Sequence, residues 1–475
     1  MTATLTPDLC IIGAGSGGLS VAAGAVQMGA TVVLVEKGAM GGDCLNTGCV
    51  PSKSLLAAAH AAARARAAAR LGVTAAPTVD FDAVRRHVAG VIASIAPHDS
   101  VERFEKLGVT VIKGQAMFAG RDTVDAAGQR IRARRFVIAT GSRPATPPIP
   151  GLATTPYLTN ETIFELPVLP SHLLIVGGGA IGCEMAQAFA GLGSTVTLVE
   201  SATILSREDP DLARVVAARL SGSGVDIHQR ASVESVAGTA HGAAVRVRMA
   251  TGQVREFAGS HLLVAVGRRP SVNGLGLDVA GVAYGPAGIT VDPSLRTTNR
   301  KIFAIGDCTG GPQFTHVAGY HAGIVVRQAL FRLPARVDER AIPRVTYTDP
   351  ELAQVGLTEA EARRRHGEGI RVLTSAFADN DRARAEGDTE GMIKVLTTRR
   401  GRILGAGIVG RAAGELIQPW VLAINARLGI GAMASMIAPY PTYGEINKRA
   451  AGSFFTPTLF GDRTKRIVRW LARLG

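Results

Sequence analysis

Two cysteines, Cys44 and Cys49, have the spacing of a redox pair, with four residues between them in GGDCLNTGCVPSKSLL. A helical turn or short loop can bring such a pair within the ~4.4–6.8 Å between Cα atoms that a disulfide requires. A helix expected to begin near Pro51, together with Lys53, would favour a thiolate. Zinc binding is an alternative, but no second Cys or His pair has ligand spacing; inert buried thiols are another. The segment therefore predicts redox chemistry.

The other three cysteines are in a different context. Cys10 lies in an apolar strand, whereas Cys183 directly follows Gly182 and Cys308 directly follows Asp307. A small side chain packs well at such positions, so we expect these thiols to be packing residues. Five cysteines in 475 residues do not make a disulfide scaffold.

The elements around the redox pair include a repeat, in which a strand, a glycine turn, a helix and a strand ending in an acid occur twice. The first glycine would make the tight turn, the second would admit a pyrophosphate, and the third would let helix and strand pack closely. Unpaired amides at the helix N-terminus would hold the phosphates. The repeat predicts two dinucleotide sites. Its residues are Gly13, Gly15, Gly18 and Glu36, then Gly177, Gly179, Gly182 and Glu200.

Two similar strand-turn segments, RRFVIATGSRP and HLLVAVGRRP, indicate crossings of the chain between the two dinucleotide domains. Thr140 and Gly141 in the first turn and Gly267 in the second are predicted cofactor contacts. The apolar strand in KIFAIGDCTG ends at Asp307, where a carboxylate can meet a polar ligand. From about Pro343, strands and helices alternate without a glycine fingerprint, which indicates a domain that binds no nucleotide.

The composition indicates a globular chain of about three domains. Hydrophobic residues make up 47% and charged residues 19%, which excludes a disordered chain. The net charge of +14 favours anionic partners, although a solvated basic surface is the simpler explanation. No motif indicates nucleic-acid binding. We find no apolar run of ~18 residues and no targeting pattern in the first nine residues, so we expect a cytoplasmic protein.

Seven motifs, in this order, resemble the pyridine nucleotide-disulfide oxidoreductase family, in the branch of dihydrolipoamide dehydrogenase and mercuric reductase. They are GAGSGG, GGDCLNTGCVPSK, ATGSRP, GGGAIGCE, VAVGRRP, FAIGD and YTDPELAQVGLTE. The resemblance implies an α/β fold with two Rossmann-like dinucleotide-binding domains and a C-terminal α+β dimerisation domain. The expected segments are 1–152 and 273–342 for FAD, 153–272 for NAD(P)H, 343–460 for the homodimer interface, and a tail at 461–475.

The resemblance also implies roles for individual residues. The first glycine fingerprint would hold the adenosine end of FAD, and Asp307 would contact its ribityl or pyrophosphate part. Lys53 would lie by the flavin, paired with Glu184. Cys49 would be the thiol next to the flavin, and Cys44 the thiol that attacks the substrate. Electrons would pass from NAD(P)H through FAD to this disulfide, and on to a small disulfide, a metal ion or another acceptor. No resident metal is expected.

The segment PYPTYGE departs from dihydrolipoamide dehydrogenase, in which a histidine supplied across the dimer moves the substrate thiol proton. Here Tyr440 stands in its place, and Glu445 is kept. Tyrosine titrates near ~10 and histidine near ~6.5, so Tyr440 is a poor general base. Mercuric reductase has the same Pro-Tyr but ends in a cysteine pair, whereas this chain ends WLARLG. A mercuric reductase-like enzyme is favoured; dihydrolipoamide dehydrogenase and an electron donor to a protein or membrane-bound partner are alternatives.

The second fingerprint bears on the choice of nicotinamide. Glu200 could accept hydrogen bonds from an adenosine ribose, and its charge would repel a 2′-phosphate. Arg207 is a weaker sign in the opposite direction. NADH is therefore the expected donor.

The tail, residues 461–475, reads GDRTKRIVRWLARLG. As a helix it would gather its apolar residues on one stripe and leave its cations mostly outside it. The stripe is formed by Ile467, Val468, Leu471 and Leu474, with Trp470 at its edge. Such a helix either docks on the dimer or gives a peripheral contact with an anionic membrane.

Overall fold

The computed structural model describes residues 4–474, which fall into two compact units. Unit 1 is formed by the described part of Met1–Ala57 with Asp80–Leu169 and His261–Asp338. Unit 2 is formed by Ala58–Val79 and Pro170–Ser260 with the described part of Glu339–Gly475. The predicted domain limits are not decided by this division and stay predictions. The part of the targeting prediction that falls on residues 1–3 lies outside the described residues.

The N-terminal elements of unit 1 build a β-α-β layer around the first glycine fingerprint. They are β1 (Leu9–Ile12), α1 (Ser16–Gln27), β2 (Val32–Glu36), α2 (Gly42–Asn46), α3 (Cys49–Ala67), of which the residues from Ala58 on belong to unit 2, α4 (Phe81–Ile95), α5 (Val101–Lys106), β3 (Val109–Lys113), β4 (Ala116–Gly120), β5 (Thr123–Ala126), β6 (Gln129–Ile131), β7 (Arg135–Ile138) and β8 (Ser142–Pro144). Alternate residues of β1 enter two separate hydrophobic clusters, so this apolar strand is covered on both faces.

The segment from Pro170 to Ser260 repeats this pattern in unit 2. Its elements are β9 (His172–Val176), α6 (Ala180–Leu192), β10 (Thr195–Glu200), α7 (Pro210–Gly222), β11 (Val225–Gln229), β12 (Ser232–Thr239), β13 (Gly242–Arg248) and β14 (Val254–Gly259). β10 pairs in parallel with β9 and β11, whereas β12, β13 and β14 form an antiparallel sheet. The second fingerprint joins β9 to α6.

Unit 1 is completed by residues that follow the second fingerprint. They form β15 (His261–Val264), β16 (Arg268–Pro270), α8 (Leu277–Ala280), β17 (Tyr284–Gly285), β18 (Gly288–Ile289), β19 (Ile302–Ala304) and α9 (Thr315–Ala329). β19 joins the main parallel sheet, which has the order β19-β7-β1-β2-β3. β16 pairs with β8 in antiparallel fashion, which brings together the two predicted crossing turns.

The C-terminal part of unit 2 is an antiparallel sheet covered by helices. It contains β20 (Pro343–Thr346), β21 (Glu351–Gly356), α10 (Glu359–His366), β22 (Ile370–Ala376), α11 (Asp381–Glu386), β23 (Met392–Thr398), β24 (Ile403–Gly410), α12 (Ala413–Leu416), α13 (Gln418–Asn425), α14 (Ile430–Ser435), α15 (Glu445–Gly452), α16 (Thr456–Leu459) and α17 (Asp462–Leu471). The strand order is β20-β21-β24-β23-β22. The predicted fold class, with parallel Rossmann-like layers and a C-terminal α+β part, is confirmed.

One buried cation links elements within unit 2. The side chain of Lys394, on β23, is 5% exposed and pairs with Asp209 at 2.8 Å and Glu359 at 3.0 Å, and also with Asp211. Asp209 also accepts the Asp211 amide at the start of α7. Because a lone buried charge is costly, the carboxylates and the ammonium depend on one another.

Within residues 4–474, no helix has the length and apolar character needed to cross a membrane.

Candidate active site

The redox segment begins against the first fingerprint and ends in a helix. A Cβ atom on Gly42 would lie 2.7 Å from the Cα of Gly15, so glycines allow the two backbones to approach closely. Cys44 lies on α2, and Cys49 is the first residue of α3, two residues before the expected start near Pro51. Cys49 therefore lies at a helix N-terminus, where the helix dipole favours a thiolate.

The two thiols have opposite tendencies to ionise. The hydrogen bond from Cys44 is the largest influence on Cys49 and, with the Thr315 hydroxyl and the Lys53 charge, lowers the pKa of Cys49 to about 6 against the opposing effect of burial. The same hydrogen bond, followed by burial and the Cys49 charge, raises the pKa of Cys44. At neutral pH the reduced pair therefore holds its proton on Cys44 and its negative charge on Cys49.

Two residues of unit 1 support the Cys49 thiolate. Thr315, the first residue of α9, has its Oγ1 3.5 Å from the Sγ of Cys49. Lys53 lies one helical turn after Cys49 on α3 and acts through its charge. Lys53 was predicted from the sequence, but Thr315 was missed, because a threonine at the start of a distant helix carries no local signal.

A largely buried arginine anchors the redox segment. The side chain of Arg268 is 12% exposed, and its Nη2 lies 3.1 Å from Oδ1 of Asp43, the residue before Cys44. Arg268 also donates to Asn160 at 3.2 Å and to the Ser142 hydroxyl at 2.7 Å. Asn160 in turn donates to Asp43 at 3.0 Å. Asp43, Ser142 and Arg268 lie in the motifs GGDCLNTGCVPSK, ATGSRP and VAVGRRP, which by themselves predict no such network.

The predicted flavin contacts in unit 1 belong to the same network. Ser142 donates to Oδ2 of Asp307 at 2.6 Å, and burial raises the pKa of Asp307. In the two crossing turns, Gly141 accepts from Ser271 at 2.9 Å, and Gly267 accepts from Ala145 at 2.9 Å. Thr140 donates to the carbonyl of Ser271 at 2.7 Å. These turns, Asp307 and the redox segment thus lie together.

The first fingerprint fits a dinucleotide such as FAD. Gly13 has φ +104°, and a Cβ on Gly18 would lie 1.8 Å from the carbonyl oxygen of Gly13, so only glycine allows this turn and helix to pack. A Cβ on Gly15 would meet nothing nearer than 3.9 Å, which leaves room for a phosphate. α1 has no side-chain cap and no acid in its first turn. Glu36 accepts from the Ala14 amide at 2.6 Å.

The second fingerprint has the same geometry and fits a second dinucleotide, NAD(P)H. A Cβ on Gly182 would lie 1.9 Å from the carbonyl oxygen of Gly177, and one on Gly179 would meet nothing within 4 Å. Glu200 accepts from the Gly178 amide at 2.6 Å and from the Ala202 amide at 2.7 Å. Its carboxylate is therefore fixed at the end of β10.

The remaining predicted site residues lie in unit 2. Tyr440 is 71% exposed and donates its hydroxyl to Asp381 at 3.2 Å, and this hydrogen bond raises the pKa of Tyr440. Glu445 accepts from the Thr442 amide at 3.3 Å. Glu184, on α6, is buried and accepts from the Tyr347 amide at 3.0 Å. The pairing of Glu184 with Lys53 stays a prediction, as do the catalytic roles of Tyr440 and Glu445.

The other three cysteines are buried, as predicted. Cys10, Cys183 and Cys308 have no exposed surface. Burial raises the pKa of Cys10 to about 12 and that of Cys308 to about 11, and it also raises the pKa of Cys183. Low thiolate content makes these side chains unreactive at neutral pH.

Comparisons with known proteins agree with this geometry. A family model described as pyridine nucleotide-disulphide oxidoreductase matches residues 7–322, and the dimerisation domain of that family matches residues 342–451. Mercuric reductase from Streptomyces lividans is 38% identical, over 94% of this chain and 96% of that protein. Dihydrolipoyl dehydrogenase from Geobacillus stearothermophilus is 37% identical, over 94% of this chain and 95% of that protein.

Among solved structures, the Cu(II) complex of the HOCl-induced flavoprotein disulfide reductase RclA from Escherichia coli superposes with a TM-score of 0.84. It is 31% identical to this chain and covers 94% of this chain and 99% of its own. The match to the dimerisation domain supports a homodimer. The chain belongs to the pyridine nucleotide-disulphide oxidoreductase family and is an FAD-containing, NAD(P)H-dependent oxidoreductase of the disulfide reductase type.

Proposed function

We propose that this enzyme uses Cys44 and Cys49 to reduce a soft metal ion such as mercuric ion, and that it oxidises dihydrolipoamide slowly. The observation that carries the proposal is the state of Tyr440, which stands where dihydrolipoamide dehydrogenase has a histidine. Its hydroxyl donates to Asp381, and its pKa is raised above the ordinary tyrosine value. Tyr440 is therefore unsuited to accept a thiol proton at neutral pH.

The chemistry at the thiols follows from their pKa values. Bound FAD would supply an electron pair that it takes as a hydride from NAD(P)H. Two electrons and one proton open the disulfide: the S–S bond breaks, Cys44 becomes a thiol, and Cys49 becomes a thiolate. The raised pKa of Cys44 and the lowered pKa of Cys49 support this distribution. In this proposal Cys49 faces the flavin and Cys44 meets the substrate.

The proton on Cys44 distinguishes the candidate acceptors. Attack on a disulfide needs the Cys44 thiolate, and therefore a base that removes the proton. A soft cation needs no such base, because thiolate ligands bind it strongly and metal binding itself releases the proton. The two thiolates then supply one electron pair that reduces the bound divalent ion to the metal, and the Cys44–Cys49 disulfide forms again as the metal leaves. Dihydrolipoamide oxidation is the second candidate, supported by Glu445 and by the similar dihydrolipoyl dehydrogenase.

The donor and the assignment of segments complete the proposal. Glu200 bears a negative charge at the end of β10, which disfavours a 2′-phosphate and favours NADH. Residues 1–152 and 273–342 would bind FAD, residues 153–272 would bind NADH, and residues 343–460 would form the dimer interface. All five cysteines are free, and Cys44 and Cys49 are the only two that we expect to form a disulfide. Chains with few structural disulfides are typical of the reducing cytoplasm, so these cysteines are consistent with a cytoplasmic enzyme.

Anaerobic reduction with NADH, followed by a panel of acceptors, tests this function. Mercuric ion should be reduced faster than small disulfides or quinones, and dihydrolipoamide should be oxidised slowly. Cys44→Ser and Cys49→Ser should each lose the metal activity, whereas Cys10→Ala, which removes a buried thiol elsewhere in unit 1, should keep it. Rapid dihydrolipoamide turnover without metal reduction would refute the proposal. Activity with a carrier protein alone would favour the alternative of a protein acceptor.

A further inference from the structure

The last helix, α17, exposes an apolar surface to solvent. The exposed fraction is 48% for Ile467, 60% for Trp470 and 51% for Leu471. Similar side chains precede and follow these three. Between residues 456 and 474, the exposed large apolar residues are Leu459, Phe460, Ile467, Val468, Trp470, Leu471 and Leu474. Apolar side chains that cluster on one stripe of a surface helix mark an interaction site.

The cations of this helix surround the apolar stripe and are not neutralised. Within residues 4–474, no carboxylate forms an ion pair with Arg466, Arg469 or Arg473, and Lys465 has only Asp462 at 4.0 Å. At 100° per residue, Lys465, Arg466 and Arg469 fall outside the sector of Ile467 and Leu471, whereas Arg463 lies one turn before Ile467 on the same side, and Arg473 follows the end of the helix. Beyond its first turn, the helix is therefore apolar on one side and cationic on the other.

Charge favours an anionic surface over a second copy of the chain as the occupant. The whole chain carries a net charge of +14, so a second copy would bring further positive charge to the cations of the tail. An anionic bilayer offers both an apolar layer for the stripe and negative charge for the flanking arginines. Trp470 lies at the edge of the stripe, where an amphipathic indole suits the lipid–water boundary.

We infer that α17 is a docking element that holds this reductase reversibly against an anionic lipid surface. A ten-residue helix binds a bilayer weakly by itself, so the contact is reversible. A homodimer carries two copies of the tail, and two linked weak contacts bind more tightly than one.

The two tryptophans allow a direct test. Trp420 is fully buried and donates to Asn447 at 2.8 Å, whereas Trp470 is 60% exposed. The full-length holoenzyme is mixed with phosphatidylcholine vesicles that contain or lack phosphatidylglycerol. Only the anionic vesicles should shift tryptophan emission to shorter wavelength and co-sediment with the enzyme. Raising the salt to ~1 M, where the Debye length is about 3 Å, should reverse both effects. Trp470→Phe should remove the emission shift.

Double variants distinguish the contribution of the tail to vesicle binding from that of the net charge of the chain. Arg466→Gln with Arg469→Gln should weaken the vesicle binding of each tail roughly 30-fold, since each cation near an anionic surface contributes about fivefold. Ile467→Gln with Leu471→Gln, which keeps the charge, should abolish the emission shift. The matched control is Arg364→Gln with Arg365→Gln, which removes the same charge from exposed positions on α10 and should leave binding unchanged.

Three results would overturn the inference. One is equal sedimentation of the full chain and a form that ends at Phe460. Another is equal weakening by the α10 control, which would indicate diffuse attraction by the whole chain. The third is shielding of Trp470 from a soluble quencher in lipid-free enzyme, together with dissociation of the dimer on truncation. That combination would assign the stripe to the partner subunit.

Discussion

Replacement of Cys44 by alanine should raise the pH at which Cys49 becomes a thiolate. The hydrogen bond from Cys44 is the largest of the effects that lower the pKa of Cys49 from 9.0 to about 6. Alanine removes this donor, whereas serine at the same position keeps a hydroxyl that can donate. Cys44→Ser is therefore the matched control, because both variants also eliminate the disulfide and leave Cys49 as a free thiol.

The size of the expected change follows from the pKa values. With a pKa of about 6, Cys49 is ~90% thiolate at pH 7, but with the ordinary value of 9.0 it is only ~1% thiolate. Thr315 and Lys53 still favour the thiolate after the replacement, while burial opposes it. We therefore expect the midpoint of Cys49 titration to rise by at least ~1 pH unit in Cys44→Ala, and by less in Cys44→Ser.

The long-wavelength charge-transfer band between a Cys49 thiolate and oxidised flavin is the readout. Its absorbance is measured from pH 5 to pH 10 in both variants with FAD bound. No NADH is needed, because Cys49 is already a free thiol in both variants. If both variants titrate at the same pH, the hydrogen bond from Cys44 is not the cause of the low pKa. If Cys49→Ser keeps the band after reduction of the enzyme by NADH, the assignment of Cys49 itself is wrong.

Three further predictions concern other parts of the chain. Tyr440→His should speed dihydrolipoamide oxidation by up to ~10²–10⁴-fold, and equal rates for both forms would refute the role given to Tyr440. Lys394→Met should lower the free energy of unfolding by about 3–5 kcal/mol in urea titrations, because the buried Asp209 loses its counter-ion, whereas Asp211 and Glu359 keep Arg214 and Arg363; an unchanged midpoint would contradict this. Gly18→Ala should purify without flavin, while Gly24→Ala, farther along α1, should remain yellow.

The glycine fingerprints could be predicted from sequence because the geometry at their first and third positions admits only glycine. A Cβ at Gly18 or Gly182 would lie within 2 Å of a carbonyl oxygen, at 1.8 and 1.9 Å, so the residue type specifies the turn. The strands β1 and β9 are short apolar runs covered by other elements, which their composition also indicates. Residue type and backbone geometry are tightly coupled in these segments.

Contacts between distant residues could not be predicted in this way. Asp43 and Arg268 are 225 positions apart, and their pairing depends on the crossing turns that form β8 and β16. Thr315 reaches Cys49 only because α9 begins beside the redox segment. Asp43, Arg268 and Thr315 belong to no periodic pattern, so the sequence carries no local signal for these contacts.

The arginine network connects the position of the redox segment to its chemistry. The charge of Asp43 raises the pKa of both Cys44 and Cys49, and so opposes thiolate formation. Arg268 lies 3.1 Å from Asp43, and this nearly buried guanidinium offsets the carboxylate charge. Asp43 can therefore anchor the segment through hydrogen bonds without suppressing the anion at Cys49. The spacing of Cys44 and Cys49 predicts a redox pair; which sulfur carries the charge depends on neighbours such as Lys53, whose charge lowers the pKa of Cys49.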